Sequence, residues 1–398
     1  MGSFFKEQAF AMEGQFRFLV VHYYENQKVL DPVYWLRRLG NKHFSVEKNA
    51  TERNTTEYTI RVQIPISIAI IKKAHAFLAK LLKKPSTEAK IYATHKQKLL
   101  DRIFSVAFPE TFDLLYGVSA QTESSLLMKL SRATGKPYIV AEHAPFPWPG
   151  SVIRESEKEG LRNANAFLAI SYDKIRQVLL QDISLKRVAY VGNMVDEERF
   201  CLGKGSGHEK TFLMVAAHSF YKNYDLFIQI FNRLTEITDV PFKIMVVGYN
   251  ANKGYSKNAE LLEQKLYNSR FADRLELIPA VSREDIPKVY ARADAFVMTS
   301  IQEGMPVSAL EAACCGLPVF STMCGGVEDY VDHTMGRIYK IIDFESFAQG
   351  LKAFLEDEIS FDNQHIRNKI VSQYGKEAFT ANLGNVFHTI IDEHNHIN

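Results

Sequence analysis

Two glutamates, Glu303 and Glu311, stand eight positions apart in the stretch TSIQEGMPVSALEAACCGLPVFSTMCGG, residues 299–326. Ionised carboxylates accept hydrogen bonds and donate none, so they suit hydroxyl groups and repel phosphates. Gly304, Pro306 and a run of small apolar residues lie between them. AFVMTS reads as a strand ending at Ser300, with Glu303 and Gly304 in the loop beyond it. Pro306 suits the first turn of the helix that follows, where a missing N–H costs nothing. Cys315 marks the expected end of that helix, and Gly316 suits its C′ position. The free N–H groups of residues 304–307, with the positive end of the helix dipole, then form an anion site suited to a phosphate. Two hydroxyl-binding carboxylates flanking a phosphate site point to a nucleotide sugar, one carboxylate for the ribose and one for the hexose. The same spacing fits a plain helix with two solvated glutamates, and spacing alone leaves both open.

Elements that could carry such a site recur along the chain. Strand-like runs at 16–24, 112–118, 137–143, 166–171 and 187–193 alternate with helical patterns such as 124–134 and 173–181. Alternating β and α predicts an α/β fold with a parallel sheet and helices on both faces. A Gly-rich polar linker, CLGKGSGHEK at 201–210, precedes a second set of short buried strands. The expected organisation is an N-terminal Rossmann-like domain at 1–203, a C-terminal one at 204–375, and a final helix at 376–398. With two such domains the cleft between them is the default ligand site. The start is unusual: GSFFKEQAFAM reads as a helix, so the first strand of a doubly wound domain is expected to be missing.

Composition narrows the class. The 398 residues suit two domains, and 46% hydrophobic with 24% charged residues describes a globular chain. A net charge of +2 points to no nucleic acid. Cys201, Cys314, Cys315 and Cys324 make no C-x-x-C pair and read as small hydrophobes in a reducing, cytoplasmic setting rather than as metal ligands.

The 299–326 stretch resembles the signature of retaining glycosyltransferases of family 4, which have the GT-B fold. Glu303, Gly304, Pro306, Leu310, Glu311, Ala312, Gly316, Pro318, Val319, Gly325 and Gly326 all match it. The resemblance covers about residues 110–395. It implies that Glu303 contacts the donor hexose, that Glu311 holds the nucleotide ribose, and that Gly304, Met305, Pro306 and Val307 meet the diphosphate or sugar. FLMVAAHSFYKNYDLF resembles the family's strand–loop–helix with a diphosphate-binding lysine, here Lys222, and Asn223 opens the helix. The family usually has an arginine five residues before this lysine; here the position is Ala217, followed by His218. PYIVAEH resembles the strand ending in a histidine near the donor sugar, here His143. Ser171 is the expected N-cap of the next helix, and Asn193 and Asp196 order the connection to the second domain. FTANLGNVFHTII resembles the helix that crosses back onto the N-domain.

The implied chemistry is hexosyl transfer from a UDP- or GDP-sugar to a glycan or lipid-linked acceptor, with Glu303, His143 and Lys222 as the catalytic set. No D-x-D motif follows a strand, so neither metal nor other cofactor is expected. The basic amphipathic stretch at 67–86 suggests peripheral contact with an anionic membrane, placing the protein at the inner face of the cell membrane. Two alternatives remain: a GT-B sugar-nucleotide epimerase, which needs no separate acceptor, and a non-catalytic GT-B binding protein.

Overall fold

The computed structural model describes residues 3–26, 44–48, 55–63 and 111–397, apart from 149, 204, 206, 208 and 252–255. The basic stretch at 67–86 lies outside the described residues. The chain opens with helix α1 (Ser3–Ala11). Strands β1 (Phe18–Asn26) and β3 (Thr55–Gln63) pair in parallel, and β2 (Phe44–Lys48) runs antiparallel to β3.

A second sheet holds β4 (Leu115–Gly117), β5 (Tyr138–Ala141), β6 (Ala166–Ala169) and β7 (Val188–Tyr190), all parallel in sequence order. Helices α2 (Ala120–Thr134), α3 (Glu155–Asn163) and α4 (Tyr172–Leu179) make the return connections. All four residues of β5 and of β6 are buried, as expected where helices cover both faces of a parallel sheet.

The third sheet has six parallel strands: β8 (Lys210–Val215), β9 (Phe242–Val247), β10 (Leu275–Ile278), β11 (Ala295–Met298), β12 (Val319–Thr322) and β13 (Gly336–Tyr339). Their spatial order is β10-β9-β8-β11-β12-β13. Between them run α5 (Tyr224–Ile237), α6 (Ser256–Tyr267), α7 (Ile286–Tyr290) and α8 (Val307–Cys314). Helix α5 lays Tyr224, Phe227, Ile230, Phe231 and Leu234 on the sheet at spacings of three and four, the stripe of a helix with one buried face. Strand β13 was not predicted from sequence. GRIY begins with glycine, carries an arginine and is only partly buried, so the apolar run that marks the inner strands is missing.

Helices α9 (Phe344–Leu355) and α10 (Asn363–Tyr374) complete this half. Helix α11 (Lys376–Ile397) returns to the other sheet. Its Phe379, Leu383, Phe387 and Ile390 form one apolar cluster with Ile139, Ala141, Ala166 and Leu168 of β5 and β6.

Candidate active site

The order in which the chain fills the six-stranded parallel sheet reverses between β8 and β11. The chain winds outward from β8 to β9 and β10, then returns to β11 on the other side. Ligands of such sheets bind beyond the carboxyl ends of the two strands at this switch point. Strand β8 leads to the loop bearing Lys222, and β11 leads to the loop bearing Glu303. Backbone contacts tie the two loops together: Ile301 N–H donates to Tyr221 O at 2.8 Å, and the Thr299 hydroxyl donates to Lys222 O at 2.9 Å.

Lys222 ends a short 3-10 turn, Phe220–Lys222, and Asn223 follows in the left-handed region at φ 47°. The Asn223 side chain accepts from Leu226 N–H and caps α5. This turn directs the Lys222 ammonium across the crevice, where it donates to Glu303 Oε1 at 2.5 Å. Both side chains are partly shielded, 25% and 17% exposed, so the pair is accessible to a ligand yet poorly screened. Burial, the nearby Lys265 charge and a weaker opposing Asp225 charge leave His218 below its ordinary pKa. That shift disfavours the charged ring, so His218 is a poor substitute for the family's arginine at Ala217.

Pro306 is not in the first turn of α8, as expected from sequence, but at its N-cap. Its backbone is extended (φ −70°, ψ 110°), and its carbonyl accepts from Ala309 and Leu310 N–H. The amides of Val307 and Ser308 thus open the first turn, where a helix offers no backbone acceptor. At the far end, Gly316 occupies C′ at φ 80°, with Gly316 and Leu317 N–H closing on Ala313 and Ala312 carbonyls. The glycine-containing loop after β12 packs directly on the motif. A Cβ at Gly326 would lie 2.0 Å from Gly304 O, and φ there is +77°, so only glycine fits.

Glu311 sits one turn into α8 and is 7% exposed, not solvated. It accepts from the buried Tyr290 hydroxyl at 2.9 Å. Burial pushes its carboxyl up to about 7; Tyr290, Arg283 and Arg199 pull it down, and Glu7 pushes it up. Glu7, on α1, accepts from Arg283 Nε at 2.6 Å and from Arg199 at 3.3 Å, and a second Arg283 nitrogen also bonds to it. The first helix therefore closes on the region around Glu311.

From the other side of the crevice, His143 lies two residues beyond β5. Its carbonyl oxygen is 2.8 Å from where a Cβ on Gly304 would lie, so the two halves meet at this glycine. Burial lowers the His143 pKa to about 4, with Lys174 adding to the shift and Asn193 opposing it; the ring is neutral at pH 7. Asn193 donates from Nδ2 to Met305 O at 2.9 Å, and Asp196 accepts from the N–H groups of Glu198 and Arg199. Ser171 caps α4 by accepting from Lys174 N–H at 3.2 Å.

Four side chains at the site escaped the sequence analysis: Glu142, Lys174, Arg283 and Tyr290. Glu142 was visible next to His143. Lys174 shares a face of α4 with Gln177 and the buried Val178, a spacing that could have flagged it as buried. Arg283 and Tyr290 carried no local signal.

Residues 196–377 match the family model described as glycosyl transferases group 1. The chain is 24% identical over 302 residues to the UDP-Gal:alpha-D-GlcNAc-diphosphoundecaprenol alpha-1,3-galactosyltransferase of Escherichia coli, covering 70% of this chain and 75% of that one. Of two other curated relatives it spans only 35% and 36% of the length. A sucrose-phosphate synthase from Thermosynechococcus elongatus superposes with a TM-score of 0.71 at 13% identity, over 98% of this chain and 93% of that one. The Anabaena HepE protein in complex with UDP-glucose superposes with a TM-score of 0.60 at 15% identity, over 73% and 81%. These likenesses establish the GT-B fold, two Rossmann-like halves facing a crevice.

Proposed function

We propose that this chain, whose residues 196–377 match the model of group 1 glycosyl transferases, moves a hexose from a UDP- or GDP-sugar to a glycan or lipid-linked acceptor, with retention of configuration and without a metal. The observation that carries the reading is the Lys222–Glu303 pair at the switch point, beside the open amides of α8. A diphosphate lying between them takes hydrogen bonds from the Lys222 ammonium and the Val307 and Ser308 amides. Sharing Lys222 frees Glu303 to accept from a sugar hydroxyl. Glu311, one turn into α8, takes the ribose hydroxyls, and Asn223 and the residue 304–306 backbone shape the floor.

In the reaction, the acceptor hydroxyl attacks the anomeric carbon from the face that the diphosphate leaves. The bond from carbon to the diphosphate oxygen breaks, the new glycosidic bond forms, and the acceptor's proton passes to the departing phosphate. Lys222 and the helix amides stabilise the charge that develops on that phosphate. Neutral His143 offers a hydrogen bond to the sugar rather than a charge. Glu303 is held by Lys222 and shares one loop–helix element with Glu311, which suits binding better than the opposed acid and nucleophile of a glycosidase.

The acceptor class is supported by the E. coli relative, whose name specifies a UDP-sugar and a diphosphoundecaprenol-linked sugar. No described helix is long and apolar enough to cross a membrane. Membrane contact is assigned to 67–86; sedimentation with anionic liposomes at low salt tests it, and no binding there rejects it. The main test incubates the protein with UDP- and GDP-sugars plus lipid-linked acceptors, with and without EDTA. Nucleotide diphosphate release insensitive to EDTA, with an anomeric proton signal matching the donor's configuration, is expected. Epimerised donor without nucleotide release would overturn the proposal.

A further inference from the structure

We propose that Lys174 is a positioning residue of this site, holding the loop that carries His143 against the Glu303–Gly304 turn; the inference rests on the glycosyl-transfer reading above. Lys174 is 0% exposed, on the first turn of α4. Its ammonium donates to Ala144 O at 2.6 Å and to Gln177 Oε1 at 3.1 Å. Gln177 Oε1 also accepts from Phe146 N–H at 2.9 Å, and Gln177 Nε2 donates to Asp173. From the strand side, Glu142 Oε1 accepts from Ala144 N–H at 2.8 Å. The loop is thus gripped at three backbone points, the Ala144 carbonyl and the Ala144 and Phe146 amides, immediately after His143.

The bracket reaches the motif directly. The Lys174 Cε stands 3.2 Å from where a Cβ on Gly304 would lie, alongside the His143 carbonyl at 2.8 Å. A buried charge is costly unless paired and hydrogen-bonded, and an apolar residue beside Val178 would pack this face of α4 without that cost. The ammonium spends its donors on the loop instead. Glu142, Asp173 and Glu303 face it and favour its charged form against burial, which lowers its pKa to about 8. The hydrogen bonds of Lys174 go to Ala144 and Gln177 and none to Lys222, Val307 or Ser308, the groups that would donate to the diphosphate, so its effect runs through the His143 loop.

The test compares Lys174→Met, His143→Ala and the double variant in the full chain. Lys174→Met is expected to lower kcat about tenfold or more, because displacing a positioned group by a fraction of an ångström is enough for that. UDP affinity by calorimetry should change less than about twofold, since the diphosphate contacts lie in the other half. In the His143→Ala background the added loss should shrink to less than about threefold, because both substitutions remove one function. An additive loss, or a matching loss of UDP affinity, overturns the proposal. If Lys174→Met fails to fold, Gln177→Leu, which removes a second grip on the same loop, must give the same kcat-selective loss; unchanged kcat rejects the proposal. A readout independent of turnover is the His143 titration followed by NMR. Lys174 and Asn193 are the groups that act on this ring, and removing the cation should raise its pKa. If wild type transfers no sugar, the glycosyl-transfer reading fails, and the His143 titration still decides whether Lys174 acts on that ring; an unmoved titration overturns the inference.

Discussion

Replacing Glu311 by glutamine should remove the pH dependence of part of the protein's stability. The carboxyl is 7% exposed, and burial raises its pKa from 4.5 to about 7. Glutamine has nearly the same shape and still accepts from Tyr290, so the change removes the titration more than the packing. A carboxyl whose folded pKa lies above its unfolded value holds its proton longer in the folded state. Its contribution to stability is therefore fully present below about pH 4.5 and is lost as pH rises through about 7. At about 1.4 kcal/mol per pH unit, the gap from 4.5 to about 7 is worth about 3.5 kcal/mol as a ceiling. Thermal unfolding of wild type and Glu311→Gln from pH 5 to 8.5 measures it. The variant should gain on wild type from pH 5 up to about 7 and level off above about pH 8. Subtracting the two curves cancels Glu142, which burial also raises to about 7 against the Ala144 and Gln121 amides and Lys174. UDP binding gives the functional counterpart. The ionised carboxylate is the stronger acceptor for the ribose hydroxyls, so wild-type affinity should rise with pH up to about 7, and that of the variant should not. A wild-type-minus-variant difference that does not change with pH would refute the assignment of a buried, proton-retaining Glu311.

Lys222→Ala removes a charge-assisted hydrogen bond to the diphosphate and should weaken UDP binding roughly ten- to hundredfold by calorimetry. Tyr290→Phe strips the hydroxyl that lowers the Glu311 pKa, so the carboxyl should titrate still higher and the variant should lose stability of about 1–2 kcal/mol, more at pH 8 than at pH 5. Gly304→Ala drives a Cβ to 2.8 Å from the His143 carbonyl, a backbone atom that cannot swing aside, so the two halves must part. Small-angle scattering should show a larger radius of gyration and kinetics a lower kcat. Gly326→Ala meets a backbone oxygen at 2.0 Å in a left-handed conformation and should lower the melting temperature more than Gly304→Ala does.

Much of this protein was written locally. The apolar runs of β5, β6, β11 and β12, the Ser171 cap, the C′ glycine at 316 and the glutamates of the motif all follow from neighbours within a few positions, where backbone geometry and side-chain periodicity act. The placement of Glu303 on the loop after β11 followed from the alternation of strand and helix. Even so, Pro306 moved from the first turn to the cap, because a one-residue shift in where the helix begins is decided by which carbonyl receives the first amides. Other features belong to the assembled fold alone. Glu7 and Arg283 are 276 positions apart, and Gly304 faces His143 and Lys174 across the crevice. Strand β13 gains its place only from the edge of β12. The burial of Glu311 and Lys174, and with it their shifted proton affinity, depends on which surfaces the two halves press together. The sequence by itself determined which groups the chain carries and the elements that hold them; the tertiary structure decided which groups lose water and meet, since desolvation and charge pairing act through space between segments far apart along the chain.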